Sequence, residues 1–426
     1  MKILIDLDCY FVSAERTINP DLIGKCVAVG GRNDKHIFST TKTQQSISLS
    51  NSGAFVPSIM LDTPSRSNHF VDPDGKVRGI LTTCSYEARA KGVKTPMPIA
   101  QALQLCPELI ILPPTFKLYH KLSQELKSFL EERIPVLEQF SIDEFFGDLS
   151  GWIADDEVES FIHHLKIEIM ETFNLPLSIG AAPSKWTAKL ATSLAKPFGT
   201  KVIWPHEHYD TVKDIPIEKF PGIGRKLQEK FHAVQFHTLK DIIHAKSYFE
   251  SLTPSMKTLW HRVNGTDNEA VKVYKERQSI GVSRTFDAVV SRLEIRRRLS
   301  ILSRHLSFTV FRTEVNPTSF SLYIRYELQA KAKGHVKTQR RFSEQLLRSE
   351  ILRLFNEIDN MPTYHIISIS LSVGSFSHQT KQGLDMFALH DDQKSVALSK
   401  GTQQMKEKYG VDILRWGLEI ENNSED

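Results

Sequence analysis

The chain has 426 residues, 54 of them basic and 50 acidic, for a formal net charge of +4; this length exceeds one ordinary hydrophobic core and predicts about three domains. Hydrophobic residues at 40% and charged residues at 24% match a soluble globular protein and exclude a disordered or fibrous chain. Asp6 breaks the first apolar stretch and no later run is long enough to cross a bilayer, so neither a signal peptide nor a membrane span is expected, and the predicted location is cytoplasmic.

Residues 2–7 form the first predicted strand: Ile3-Leu4-Ile5 is an apolar run that closes on Asp6, with Asp8 just beyond. A helical stretch around Val12 to Arg16 stops at Asn19-Pro20, and Cys26 to Val29 is a second strand ended by Gly30-Gly31. Residues 33–76 turn polar, rich in Ser, Thr, Asn and Gln, and predict an exposed excursion. Order returns at Ile80. Ser85 to Lys91 is helical with Gly92 as its cap, and Pro98 to Leu105 begins another helix. Leu118, Leu122, Leu126, Phe129 and Leu130 keep a helical period. The segment Ser141-Ile142-Asp143-Glu144-Phe145-Phe146 then reads as a strand with two adjacent carboxylates, followed by a helix over 157–173 and a strand at Leu177 to Gly180.

Residues 205–268 are helix-rich and form a small separate region. After Gln278 the pattern becomes alternating: Phe320, Leu322 and Ile324 against Ser321, Tyr323 and Arg325, and Ile367, Ile369, Leu371 and Val373 against serines, which predicts a sheet with one wet face. Leu347, Ile351, Leu354 and Ile358 add a helix stripe, so an α+β domain is expected over 279–375. The acidic end, 421–426, is expected to fray.

Strands seldom carry charge on both faces, so Asp143-Glu144 must be solvated, paired or holding a cation. Asp6 has the same setting far upstream, and together these oxygens suit a hard cation such as Mg²⁺. Two such ions clamp an in-line phosphoryl displacement; a surface hairpin with solvated acids is the alternative. Lys185, Lys189 and Lys196 share one side of a predicted helix and could meet a polyphosphate or merely make a wet face. Tyr86 and Arg89 stand three apart on a helix, where both could reach phosphate oxygens. Phe220-Pro221-Gly222-Ile223-Gly224-Arg225-Lys226 fits a hairpin that offers backbone N–H groups to phosphate, or a plain helix connection. Arg284, Arg296, Arg297, Arg298, Arg304 and Arg325, with Arg340 and Arg341, concentrate guanidinium in the last domain, for DNA or for solubility. The four cysteines, Cys9, Cys26, Cys84 and Cys106, show no CxxC pair and no zinc spacing, as in a reduced interior, and the sixteen histidines show no HExxH.

Six motifs in order resemble the Y-family (translesion) DNA polymerases, which include the UmuC- and DinB-like proteins, and most of all the bacterial UmuC-like branch. They are Asp6-Leu7-Asp8-Cys9-Tyr10-Phe11, Cys84-Ser85-Tyr86-Glu87-Ala88-Arg89, Gly92-Val93-Lys94, Ser141-Ile142-Asp143-Glu144, Ala195-Lys196-Pro197 and Pro221-Gly222-Ile223-Gly224. The resemblance runs to about Phe376 and implies an α+β, multidomain right-hand polymerase. Its palm would be 1–10 and 116–203, its fingers 11–115 with the 33–76 insertion, and its thumb 204–270 with a helix–hairpin–helix. The little finger would be 279–375, and 376–426 a tail.

By position the resemblance implies Asp6, Asp143 and Glu144 as catalytic metal ligands, helped by the Leu7 carbonyl, with two Mg²⁺ ions as cofactor. Phe11 falls at the steric gate against ribose, and Thr83, Tyr86, Arg89 and Lys196 at nucleotide contacts. Gly222, Gly224, Arg225, Lys226, Arg284 and Arg325 would meet DNA. Gln382-Gly383-Leu384-Asp385-Met386-Phe387 resembles a peptide that grips the bacterial sliding clamp, with Gln382, Leu384, Met386 and Phe387 as contacts. The implied partners are primer-template DNA, deoxynucleoside triphosphates and the clamp, on a monomer; the implied setting is mutagenic DNA repair in the SOS response. Two departures stand out: the long 33–76 stretch, and Cys9 where aromatic or small residues are usual. Two rivals remain open here. A haloacid-dehalogenase-like phosphatase would use Asp6 as nucleophile, although Tyr10 stands where it wants Thr or Val. A non-catalytic DNA- or clamp-binding scaffold would not need the three acids.

Overall fold

The computed structural model describes residues 1–31, 35–38, 45–46, 60–61, 70–71, 75–274, 276–377 and 388–420. They fall into two compact units, one of Met1–Gly30, Leu81–Leu112 and Leu118–Lys275, the other of Gly31–Ile80, Pro113–Lys117 and Glu276–Asp426. Mixed α and β structure throughout makes the chain a multidomain α+β protein.

The first unit is built on a five-stranded sheet in the order Thr200–Val202, Leu177–Ala182, Lys2–Leu7, Glu144–Asp148, Val136–Gln139. Lys2–Leu7 lies in the middle, antiparallel to both neighbours. A central strand is covered on both faces, so its apolar residues need not alternate, and Ile3, Leu4 and Ile5 are all fully buried. Helix Lys185–Ala195 packs on this sheet, its start capped by Ser184, whose Oγ accepts from Thr187 N. The approach is close because strand and helix meet at Gly180: a Cβ there would stand 2.1 Å from Thr192 N and 2.4 Å from Ala188 O. Thr192 Oγ1 donates to Leu4 O at 3.1 Å and pins the same helix to the central strand.

The expected lysine stripe on that helix divides. Lys185 is buried and ion-paired with Glu138 at 2.6 Å, so it is neither a wet face nor a phosphate contact. Such a pair holds only because a buried charge without a partner is costly.

A smaller sheet in the same unit joins Ile80–Cys84, Val27–Gly31 and Ile110–Leu112, the last two in parallel. Helix Tyr86–Ala90 leaves it with Ser85 as N-cap, and Gly92 follows at φ +88°, the left-handed region that glycine adopts without strain. Residues 205–263 are short helices around Val212, Phe220, Phe231, Leu239, Phe249 and Leu259.

The second unit carries a four-stranded antiparallel sheet in the order Ser279–Val289, Ile366–Ser377, Asn316–Tyr326, Lys331–Lys337. Helices Arg292–Arg312 and Glu344–Ile358 contribute Leu299, Leu306, Leu347 and Ile351 to the core that also holds Phe320, Leu322 and Ile324. The expected alternation is therefore present, with one shift. Arg325 pairs with Ser368 but Tyr326 pairs with Ile366, so Ile367 is an extra residue and Ile366 turns inward in its place. The excursion over 33–76 is also not wholly exposed: Ile37 and Phe38 are buried in this core, Arg297 donates twice to Phe38 O at 3.0 Å, and Phe38 meets Phe286 edge-on. Two large apolar side chains in a polar stretch were the available signal.

Among the described residues, no helix is long and apolar enough to cross a membrane.

Candidate active site

Strand pairing brings the acids together. Asp6 and Glu144 are register partners on adjacent antiparallel strands, where paired residues point to the same face with Cβ atoms about 5 Å apart. Asp143 lies in the turn just before Glu144–Asp148 rather than on the strand. Its carbonyl accepts from Leu7 N at 3.0 Å, which ties that turn to the end of the central strand. Ser141 Oγ donates to the Asp143 carboxylate and accepts from Glu144 N at 3.1 Å, so one serine holds both acids in place.

Crowding and burial set the electrostatics. Burial, with Glu144 and Asp143 nearby, pushes the Asp6 carboxyl up to about 7 against the pull of Lys196. Asp143 is raised as well, first by burial. Two lysines offset the negative charge: Lys196 Nζ stands 2.7 Å from Asp6 Oδ1, and Lys189 is ion-paired with Glu144. Burial opposes the charge on Lys196, but Asp6 and its neighbours hold its pKa above the ordinary lysine value. Three carboxylates gathered at the ends of two neighbouring strands, with Asp6 and Asp143 raised chiefly by burial, fit divalent cations held by Asp6, Asp143, Glu144 and the Leu7 carbonyl.

Asp8, two residues on, does different work. It is fully buried; Oδ1 accepts from Tyr86 Oη at 2.8 Å, and Oδ2 accepts from Ser178 Oγ at 2.8 Å and Phe198 N at 2.9 Å. Cys9 then adopts φ +49° and turns the chain into helix Tyr10–Ile18. Phe11 on that helix is stacked on Tyr119 at 4.4 Å. Arg89 lies 4.9 Å over the Tyr86 ring and donates to Cys84 O at 3.2 Å, and Thr83 is half-buried on the neighbouring strand. Tyr86 and Arg89 thus meet as the helical spacing predicts. Lys196 is ion-paired with Asp6. Lys189, named above as part of the lysine stripe, enters the site through its ion pair with Glu144.

The hairpin around Gly222 is exposed, Gly222 at φ +99° and Gly224 capping helix Arg225–Ala233, with open space where a Cβ would stand at either glycine. Arg225 pairs with Glu229 at 3.0 Å and Lys226 is exposed.

In the second unit the arginines part company. Arg304 is buried, bonded to Glu419 and Asp412 at 2.7 Å each, and Arg340 reaches Asp392 at 2.7 Å. Arg284 is in register with buried Ile369. Arg325 is in register with Lys331, and Tyr323 with Lys333, so the open sheet face carries lysines that sequence reasoning passed over. Gln382, Leu384, Met386 and Phe387 lie outside the described residues.

Comparison with known proteins bears on the family and the fold. The impB/mucB/samB family model matches residues 5–193, and the model of that family's C-terminal domain matches 277–386. A DNA polymerase IV of Vibrio parahaemolyticus is 31% identical over 67% of this chain and 70% of its own length. A DNA polymerase IV of Bacillus velezensis is 27% identical over 98% of this chain and 92% of its own. Among solved structures, a Y-family DNA polymerase chimera of Dbh and Dpo4 superposes with a TM-score of 0.70 at 21% identity, over 88% of this chain and 98% of that one. DinB from Sulfolobus solfataricus gives 0.54 at 20% identity, over 88% and 98%. At such identities these structures show the fold.

Proposed function

The chain belongs to the impB/mucB/samB family, the Y-family of translesion DNA polymerases, and from that premise we propose that Asp6, Asp143 and Glu144 carry its template-directed nucleotidyl transfer. The observation that carries the residue assignment is the direct strand pairing of Asp6 with Glu144, with Asp143 bonded across to Leu7.

When bound, two Mg²⁺ ions supply Lewis acidity at the attacking and leaving oxygens. The carboxylates of Asp6, Asp143 and Glu144 and the Leu7 carbonyl would hold them. The primer 3′-hydroxyl attacks the α-phosphorus of a deoxynucleoside triphosphate; the new O–P bond forms as the bond to pyrophosphate breaks. Tyr86 and Arg89, with Thr83 and Lys196, receive the triphosphate, and fixed cations there stabilise charge as it develops. Asp8 positions Tyr86 through its hydroxyl. Phe11, braced by Tyr119, lies under the sugar and excludes a ribose 2′-hydroxyl.

Residues 1–10 and 116–203 serve as palm, 11–115 as fingers, 204–270 as thumb and 279–375 as little finger. Gly222, Gly224, Arg225 and Lys226 meet phosphates through backbone and side chain. The open sheet face, with Arg325, Lys331 and Lys333, tracks the duplex by charge. The peptide from Gln382 to Phe387 docks a monomer on the sliding clamp in the cytoplasm.

A phosphatase using Asp6 would need Asp8 as proton donor, yet both oxygens of Asp8 are taken as acceptors by Tyr86 Oη, Ser178 Oγ and Phe198 N. Primer extension with Mg²⁺ is the test. Extension that survives loss of both Asp143 and Glu144 would overturn the site.

A further inference from the structure

Three side chains that nucleotidyl transfer does not use converge in the first unit. Cys26 directly precedes strand Val27–Gly31, Cys106 ends helix Ile99–Leu105, and Glu108 follows in the next turn. One ligand atom from each lies within 4.8 Å of the other two, and Cys26 Sγ is 3.9 Å from Glu108 Oε1. The backbone fixes this meeting. Ile110 N donates to Cys26 O at 2.9 Å, and Leu109 N donates to Cys106 O at 3.0 Å, so the two chain segments are held side by side. Cys106 is fully buried and Cys26 nearly so, while the Glu108 side chain is half exposed and opens the cluster to solvent.

These separations suit one ion. With Zn–S near 2.3 Å and Zn–O near 2.0 Å, the edges of a tetrahedral site are about 3.5–3.8 Å, close to the 3.9 Å already present. The donor set argues against Mg²⁺ or Ca²⁺, which take oxygen, and for a borderline-soft metal that takes thiolate and carboxylate together. The charge also closes: two thiolates and a carboxylate on Zn²⁺ leave one negative charge, and Lys91, ion-paired with Glu108, supplies one positive.

We infer that Cys26, Cys106 and Glu108 form a zinc site, with the fourth position open to water on the Glu108 side. The site clasps the start of one strand to the loop before its parallel neighbour. It is separate from the Asp6 cluster in both residues and donor chemistry.

The full-length chain, loaded with Zn²⁺, gel-filtered and assayed by mass spectrometry for metal, tests this. The background carries Asp6→Asn and Glu144→Gln, so that the carboxylate cluster does not compete. One equivalent of zinc is expected, with Co²⁺ giving a thiolate charge-transfer absorption in its place. Cys26→Ser should lose the metal and the absorption. Because removal of the buried Cys26 thiol can itself disturb the sheet, Glu108→Gln on the exposed side is the second variant. It should weaken zinc at least tenfold, with the circular dichroism unchanged. Absence of zinc from the parent overturns the inference, as does zinc retained in both Cys26→Ser and Glu108→Gln. So does an intact mass two hydrogens short, with a Cys26–Cys106 disulfide mapped by peptide analysis.

Discussion

Asp6 and Glu144 stand opposite one another on neighbouring strands, and each is matched by its own lysine, Lys196 at 2.7 Å from Asp6 and Lys189 on Glu144. Paired like charges across a sheet are unfavourable, and the two ammonium groups offset them. Removing an acid should therefore cost chemistry and not stability. Asp6→Asn or Glu144→Gln is expected to lower primer extension by about 10³-fold or more. Primer-template affinity should stay within about twofold and the Tm should be unchanged or higher. Extension within tenfold of the parent would remove that residue from the metal-binding set.

Phe11 owes its position to the stacked Tyr119 ring. Phe11→Ala should raise ribonucleotide incorporation relative to deoxynucleotide by about tenfold or more, since selection by steric exclusion is lost with the ring. Tyr119→Leu should show a smaller change in the same direction. Single-nucleotide kcat/KM values for a matched dNTP and NTP pair measure both; an unchanged ratio in Phe11→Ala would free Phe11 of this role.

Gly180→Ala tests how the lysines are placed. Its Cβ would fall on backbone atoms of helix Lys185–Ala195, at 2.1 Å from Thr192 N, and no flexible side chain can give way. The helix must shift, and overpacking of this kind costs about 1–3 kcal/mol. Lys189 and Lys196 move with it, so kcat should fall well below what the loss of folded protein explains. Chemical denaturation and active-site-normalised extension separate the two effects.

Acid stability should be governed in part by the second unit. Burial lowers the pKa of His305 to about 4, with Arg304 and Arg284 adding to the effect and Asp412 opposing it. Between about pH 6.5 and 4 the unfolded chain binds a proton there that the folded chain does not, so stability falls as pH drops through that window, by about 3 kcal/mol at most. Asp412, though burial opposes its charge, is held far below the ordinary aspartate range by His305 and Arg304; its contribution is intact above pH 4 and is lost on further acidification. Denaturant melts from pH 7 to 4.5 should show a flatter dependence for His305→Gln than for the parent. Equal slopes would assign the acid loss elsewhere.

Much of the site was legible because it rests on local chemistry. An apolar run ending at Asp6, a charged pair within Ser141 to Phe146, and Tyr86 and Arg89 at helical spacing are each visible within a few residues of chain. What failed to show depends on partners far away in sequence. Lys185 looked like part of a solvent-facing stripe, and Glu138 takes it into the interior. Arg304 and Arg340 looked like a DNA-facing surface, yet Glu419 and Asp412 hold Arg304 in the interior and Asp392 ties up the partly exposed Arg340. Asp8 follows Asp6 closely in sequence, yet it lies beyond the strand's end at Leu7, just before the turn at Cys9, and Tyr86, Ser178 and Phe198 take up both its oxygens.

By itself the sequence determined where strands and helices form and which residue types each one carries, because side-chain periodicity and capping act within a turn or two of backbone. Tertiary structure alone decided strand order and register, and with them that Asp6 faces Glu144 and that Cys26 meets Cys106 with no motif to announce it. Such neighbours are chosen by packing and backbone pairing between distant segments, and no spacing along one chain records that choice.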